Sequence, residues 1–223
     1  MSVITLVRHG QASFGADNYD QLSALGEQQS IWLGEHWQQL GIRFDHMVTG
    51  NMRRHHQTAS GMLQGLVQDA EPEAVNSLNE YSFEGLLVPF RQAFSADWHA
   101  TDQPRRDYYY NMKKALHFWS QGIIETDGSD SWDSFNKRVM ESFYQLCGRR
   151  NKQLVIVSSG GVIATIIGSL LGIKSEQIIE LSLQIKNSAV SSFLYNGKDF
   201  SLTGFNDLSH LLSSDKQSFI TYS

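Results

Sequence analysis

The segment that most constrains the fold is residues 3–11, which read V-I-T-L-V-R-H-G-Q. Its apolar run is rich in β-branched residues and is interrupted only by Thr5, a pattern typical of a strand that is buried on both faces. Arg8, His9 and Gly10 follow directly. In open α/β sheets the ligand crevice lies beyond the carboxyl ends of the strands, so these residues mark the predicted position of a site.

Composition indicates a globular protein. The chain has 223 residues, of which 41% are hydrophobic and 18% charged, and this is enough for one sizeable core. Its net charge of −5 argues against nucleic acid or an anionic membrane surface as a partner. The single cysteine, Cys147, excludes an internal disulfide and a cysteine-rich metal site. No secretory or membrane-spanning segment is recognisable, so we expect a cytoplasmic protein.

Two later segments predict further strands that pass into helices. Residues 44–49 read as a strand, and Gly50 and Asn51 lead from it into a helix. Residues 154–157 form a third apolar strand, and S-S-G-G then opens an apolar helix over residues 162–171. A strand, a small-residue turn and a helix can place backbone N–H groups and a helix N-terminus at an anion.

Cap and turn residues define the first helix and an edge hairpin. Ser23 is the predicted N-cap of the first helix, and Gly41 stands where a left-handed residue would end it. Asn196 and Gly197 separate two short strand-like runs and predict a tight antiparallel hairpin. The chain is therefore predicted to be α/β, a three-layer α/β/α fold with a mostly parallel central sheet and an antiparallel edge hairpin.

The middle of the chain, residues 69–152, has a looser pattern. Helices are indicated at residues 107–121 and 135–147. We interpret this range as a helical insertion over the ligand edge of the sheet. No repeat or low-complexity linker marks a boundary, so residues 1–223 are expected to form a single domain.

The second predicted helix begins with R-R-H-H at positions 53–56. Positive charge in a first turn opposes the helix dipole. Local rules are broken mainly at functional sites, so the conflict indicates an anion nearby. The three predicted strands thus end at one edge of the sheet. The first brings Arg8 and His9 there, the second brings Arg54, and the third brings Ser159 and Gly160.

In this order the motifs resemble those of the histidine phosphatase superfamily, also called the phosphoglycerate mutase-like family. The matching motifs are R-H-G at 8–10, L-S-x-L-G at 22–26, R-x-x-Q-T-A at 54–59, L-N-E at 78–80 and V-S-S-G-G-V-I at 157–163. They run over nearly the whole chain. The resemblance implies metal-independent phosphomonoester hydrolysis through a phosphohistidine, without a cofactor.

The resemblance also implies roles for individual residues. His9 would be the nucleophile, Arg8 and Arg54 would hold the phosphoryl oxygens, and Glu80 would be the proton donor. These roles agree with chemistry, because a neutral imidazole is a competent nucleophile and planar guanidinium groups suit phosphoryl oxygens. Glu84 is close enough in sequence to be an alternative donor.

Further residues are candidates for phosphate binding, namely Gln11, Ser13, Asn18, Ser159 and Gly160. One of them departs from the family pattern. The family usually has S-H-G where this chain has Ser159, so a second pocket histidine is missing. His55 and His56 follow Arg54 on the same helix and at most one can turn inward, so no obvious replacement is identified. Losing one transition-state donor typically costs ~10²–10³ in rate. We therefore expect an active enzyme, with a rate that the missing histidine can reduce.

Two other functions stay open. A mutase would return the phosphoryl group to a bound sugar acid, and a non-catalytic module would only bind a phosphorylated ligand. Metal-dependent hydrolysis is a poor fit because no cluster with metal-ligand spacing is present. In each case the expected partner is a small phosphorylated metabolite, with no nucleic acid and no membrane. The oligomeric state is open, with a homodimer as one option.

Overall fold

The computed structural model describes residues 1–13, 20–124, 126, 130–149 and 151–222. In these residues six strands form one sheet. They are β1 (Ser2–Arg8), β2 (His46–Thr49), β3 (Glu73–Ala74), β4 (Gln153–Ser158), β5 (Val190–Tyr195) and β6 (Phe200–Asp207). The order across the sheet is β3-β2-β4-β1-β5-β6. Strands β1 to β4 are mutually parallel, and β5 pairs antiparallel with both β1 and β6.

Seven α-helices lie in the described residues. They are α1 (Ala24–Gln39), α2 (Arg53–Leu66), α3 (Phe83–Ala93), α4 (Pro104–Ser120), α5 (Trp132–Cys147), α6 (Gly160–Leu171) and α7 (Ser175–Gln184). Single 3₁₀ turns occur at Asn76–Leu78, Ser95–Asp97, Ser209–Leu211 and Gln217–Phe219. No helix of the described ranges combines the length and the hydropathy needed to cross a bilayer.

The sheet separates two apolar cores because its side chains alternate between faces. On one face, Val7 and Val157 pack with residues of α1 and α2, including Leu33 and Met62. On the other face, Leu6 and other strand residues pack with the remaining helices in a larger core. This arrangement confirms the predicted three layers and the mostly parallel sheet.

The predicted caps are confirmed. The Ser23 side chain accepts a hydrogen bond from the Gly26 N–H, and Gly41 has a φ of 69°, the left-handed conformation that ends a helix. Asn196 and Gly197 lie in the turn of the β5–β6 hairpin, as predicted.

Several boundaries and elements differ from the prediction. Strand β2 begins at His46 rather than at residue 44, and α6 begins at Gly160 rather than at 162. Helices α3 and α7 were not predicted, because a proline lies inside α3 and α7 is only 10 residues long. Within 69–152, β3 joins the sheet beside β2 while α3, α4 and α5 pack on one face. The assignment of 1–223 as one domain with a 69–152 insertion stays a prediction.

Candidate active site

Three neighbouring elements end at the same edge of the sheet. Strands β1 and β4 are parallel and pair Arg8 with Ser158, so His9 and Ser159 are the next residues along each chain. Helix α2 begins at Arg53, one short turn after β2 ends at Thr49, and β2 is the other neighbour of β4. The parallel register therefore brings His9, Arg54 and Ser159 together, as the sequence predicts.

His9 is buried and held by hydrogen bonds at both ring nitrogens. Its Nδ1 lies 2.7 Å from the Gly10 carbonyl, and Nε of Arg54 lies 3.2 Å from its Nε2. A guanidinium can only donate, so Nε2 accepts and Nδ1 carries the ring proton. Burial, together with the positive charges of Arg54 and Arg8, holds the pKa of His9 well below its ordinary value. His9 is therefore neutral, with its Nε2 lone pair directed at Arg54.

Arg54 is fixed by a residue that the sequence analysis missed. Its Nη1 donates to Asp20 Oδ1 over 2.9 Å, and Asp20 also accepts from the Arg53 backbone N–H at the start of α2 over 3.0 Å. The Asp20 carboxylate is thus an anion beside the basic first turn. Asp20 lies in a loop far from α2 in sequence, and no periodicity or spacing could have indicated this contact.

Arg8 is also buried, and its backbone partners lie near the C-terminal end of the chain. Its Nη1 donates to the carbonyl oxygens of Ile185 and Tyr222. The guanidinium still lines the cleft in front of His9. Its position is therefore set by the same main-chain segments that form one wall of the cleft.

Glu80 also lines the cleft and accepts two backbone hydrogen bonds. Oε2 accepts from the Gly161 N–H over 2.9 Å, and Oε1 accepts from the Tyr81 N–H over 3.2 Å. Burial raises the pKa of Glu80, and these hydrogen bonds oppose that effect only in part. Glu84, the alternative donor, is exposed on α3 and is not among the residues that line the cleft.

Glycines allow the close packing of these loops. A Cβ at Gly10 would lie 2.3 Å from the Gly26 carbonyl oxygen, so the R-H-G turn rests directly on the first turn of α1. The Gly10 N–H donates to Thr58 Oγ1 over 3.1 Å, and the Thr58 hydroxyl donates to the Arg54 carbonyl over 2.7 Å. These contacts join the R-H-G, L-S-x-L-G and R-x-x-Q-T-A motifs by close packing and hydrogen bonds.

The cleft in front of His9 has a volume of about 50 Å³, and five of the residues that line it are Tyr or Phe. Its other lining residues are Arg8, Glu80, Tyr81, Phe83, Tyr108, Tyr109, Met112, Gly160, Gly161, Ser182, Leu183 and Tyr222. Within the part of the chain that the structure describes, no group of three His, Cys, Asp or Glu residues is arranged to hold a metal.

Two other predicted phosphate ligands, Gln11 and Ser13, form hydrogen bonds within the protein. The Gln11 side chain accepts a hydrogen bond from the Ser23 hydroxyl over 2.8 Å, and the Ser13 hydroxyl donates to the Leu22 carbonyl over 3.0 Å. Both side chains are thus engaged at the start of α1, and their role in phosphate binding stays a prediction. Asn18 lies outside the described residues.

His55 is the histidine of α2 that turns inward. Its ring is fully buried, its Nε2 lies 2.7 Å from the Ser159 hydroxyl, and its centroid is 5.7 Å from that of His9. The sequence analysis allowed one of the two α2 histidines to face the site but could not say which. The structure shows that His55 lies on the buried face of α2, whereas His56 is partly exposed.

Comparison with solved structures gives the fold of the chain. A phosphoserine phosphatase from Entamoeba histolytica in complex with 3-phosphoglyceric acid is 23% identical, with a TM-score of 0.67 over 95% of this chain and 100% of that one. A phosphoglycerate mutase from Bacillus anthracis is 18% identical, with a TM-score of 0.67 over 94% and 95%. A mycobacterial glucosyl-3-phosphoglycerate phosphatase is 16% identical, with a TM-score of 0.66 over 94% and 99%.

Sequence comparison gives the family. No curated protein matches the chain. The family model of the histidine phosphatase superfamily (branch 1) matches residues 4–208. That range contains His9, Arg54, Glu80 and Ser159, and it covers the seven α-helices, strands β2 to β6 and most of β1. The chain therefore belongs to the histidine phosphatase superfamily.

Proposed function

We propose that this protein is a metal-independent phosphomonoesterase that works through a phosphohistidine at His9. The observation that carries the proposal is the contact between Arg54 Nε and His9 Nε2. It places a permanent positive charge beside Nε2, the one nitrogen of His9 that carries no proton. Phosphoryl transfer requires mainly this combination of an aligned nucleophile and positive charge around the phosphoryl oxygens.

The first step transfers the phosphoryl group to the protein. His9 Nε2 attacks phosphorus while Arg8 and Arg54 hold the phosphoryl oxygens, and the bond from phosphorus to the ester oxygen breaks. Glu80 gives its proton to the departing alkoxide, which leaves as an alcohol. In the second step water attacks phosphorus, Glu80 takes up a proton from that water, and the bond to Nε2 breaks. Inorganic phosphate leaves, and both residues return to their starting states.

The opposite pKa shifts of the two groups support this division of roles. Burial lowers the pKa of His9 and raises that of Glu80. The imidazole is therefore unprotonated and the carboxyl holds its proton to higher pH than usual. A pair of titratable groups with environments that act in opposite directions is typical of a nucleophile and a general acid.

The substrate that we propose is a small phosphorylated metabolite, because the cleft has a volume of only about 50 Å³. The aromatic wall formed by Tyr81, Phe83, Tyr108, Tyr109 and Tyr222 would contact the leaving group. Location in the cytoplasm and the oligomeric state stay predictions.

The proposal is tested by phosphate release from a panel of phosphomonoesters without added metal. Wild type is compared with His9→Ala, and with His99→Ala as a control on an exposed histidine. We expect release that His9→Ala abolishes, and an acid-labile, base-stable phosphoryl group on the wild-type protein only. Isomerisation of a phosphoglycerate with little free phosphate would instead indicate a mutase. Binding of phosphate without turnover of any ester would indicate a phospho-ligand binding module.

A further inference from the structure

His55 is a buried imidazole that the mechanism above does not use. It has no exposed surface, and its Nε2 lies 2.7 Å from the hydroxyl of Ser159. The neighbouring His56 is partly exposed and contacts the side chain of Asn51 over 3.1 Å. Of these two consecutive histidines, only His55 is part of the site.

The position of the His55 ring depends on a glycine. A Cβ at Gly50 would lie 2.3 Å from His55 Nδ1 and 2.7 Å from the Leu78 carbonyl oxygen. The Gly50 N–H also donates to the Val157 carbonyl over 3.0 Å, which ties this turn to the end of β4. The turn between β2 and α2 is therefore shaped to leave room for an imidazole against Ser159.

The hydrogen bonds around Ser159 indicate where its proton lies. Arg54 Nη2 donates to the Ser159 oxygen over 3.4 Å, and a guanidinium cannot accept. The hydroxyl proton is then directed to His55 Nε2, which accepts it as a neutral imidazole. Burial, with Arg54 and His56 on the same helix, lowers the pKa of His55 well below its ordinary value. His9, after β1, is the other titratable group that faces the ring.

We propose that His55 is a positioning residue that acts on the phosphoryl group through Ser159 and supplies the second imidazole of the site from α2. When a phosphoryl dianion binds against Ser159, His55 takes up one proton from solvent at Nε2. The new N–H donates to the Ser159 oxygen, and the Ser159 hydroxyl proton turns to a phosphoryl oxygen. The site thereby gains one donor and one positive charge, and no covalent bond other than that N–H is made. The inference rests on the proposed function for its kinetic part only.

Binding of inorganic phosphate tests the proton uptake independently of turnover. Calorimetry between pH 6 and 8, in two buffers of different ionisation enthalpy, counts the protons taken up on binding. We expect His55→Ala to weaken phosphate binding about 10- to 100-fold, the range for a hydrogen bond to a charged group, and to lose the uptake assigned to His55. His55→Gln keeps a side chain of similar reach but cannot be protonated, so it should bind phosphate without that uptake. His56→Ala should behave as wild type.

Moving the imidazole tests the kinetic role. We expect His55→Ala to lower kcat/KM about 10²- to 10³-fold, as loss of one transition-state donor does. Ser159→His alone should give no gain, because its ring would collide with His55. In the double variant His55→Ala with Ser159→His, the imidazole returns at the other position, and kcat/KM should rise at least tenfold above His55→Ala.

Specific outcomes would overturn the inference. It fails if His55→Ala and His55→Gln bind phosphate with the affinity and proton count of His56→Ala, or if the double variant is no better than His55→Ala. Absence of turnover in wild type, with proton uptake that still depends on His55, would refute the proposed function and leave the inference standing.

Discussion

Nε of Arg54 donates a hydrogen bond to Nε2 of His9 across 3.2 Å. The guanidinium therefore occupies the direction from which an electrophile must approach the histidine. A phosphoryl group can enter only if its oxygens take over the donors of Arg54. Arg54 must keep its position during this exchange, and its contact with Asp20 provides the anchor.

The anchoring of Arg54 can be tested with Asp20→Asn. The variant removes the charge that holds Nη1, and we expect kcat/KM to fall roughly 10-fold, the lower end for a hydrogen bond to a charged group. The change should be mainly in KM, because the guanidinium is still present. The measurement is steady-state kinetics with a phosphomonoester that wild type hydrolyses.

Asp97→Asn is the matched control for Asp20. Asp97 forms a surface ion pair with Lys114 over 2.8 Å, away from the cleft. Exposed pairs contribute little, so this variant should keep wild-type kinetics. Equal kinetics for the two variants would mean that Asp20 does not position Arg54.

The role of Glu80 can be tested through the leaving group. Glu80→Gln cannot donate a proton, so hydrolysis of alkyl phosphates should fall about 10²- to 10⁴-fold. An aryl phosphate with a stable phenolate needs less protonation and should lose much less. Glu84→Gln is the control, since Glu84 is exposed on α3. An equal loss with both substrates would contradict the general-acid role.

The pH dependence of kcat/KM follows from the protonation states of His9 and Glu80. His9 must be unprotonated, and activity therefore rises as the pH increases through a pKa well below 6.5. Glu80 must be protonated for the first step, and activity therefore falls as the pH increases through a pKa above 4.5. The profile should be bell-shaped, and Glu80→Gln should remove its alkaline limb. An unchanged alkaline limb in that variant would assign it to another group.

Sequence alone located the strands of the site because each carries a strong local signal. Residues 3–7 and 154–157 are apolar runs, and the R-H-G and S-S-G-G turns follow them directly. Asp20 and Tyr222 carry no such signal, because a loop residue and a residue near the C-terminal end reach the cleft only through tertiary packing. For the inward-facing histidine of α2, the sequence left two candidates, His55 and His56. The choice between them depends on how α2 is rotated against β4, which the sequence does not show.

Gly161, in the V-S-S-G-G-V-I motif, provides a further test. A Cβ at Gly161 would lie 2.3 Å from Glu80 Oε1 and 2.5 Å from the Tyr81 ring. Gly161→Ala should therefore displace the Glu80 carboxyl and reproduce the loss for alkyl phosphates expected of Glu80→Gln. At Gly148 a Cβ would meet nothing closer than 3.4 Å, so Gly148→Ala is the control. A fully active Gly161→Ala enzyme would show that the placement of Glu80 is not critical.

Acid sensitivity of folding should depend in part on His210. Its Nε2 lies 2.8 Å from the Ser188 hydroxyl, and burial lowers its pKa to about 3. The unfolded chain takes up a proton near pH 6.5 and the folded one does not, so stability is lost as the pH falls below 6.5. This residue should contribute a slope of about 1.4 kcal/mol per pH unit.

His210→Gln removes that titration and keeps a side chain that can bond to Ser188. Urea unfolding at pH 7.5 and pH 5 should show a loss of stability that is about 2 kcal/mol smaller in this variant than in wild type. His9 and His55 are present in both proteins, so their contributions cancel in the comparison. His99→Gln replaces an exposed histidine and should follow wild type. If His210→Gln and wild type lose the same free energy of unfolding between pH 7.5 and pH 5, His210 is protonated in the folded protein.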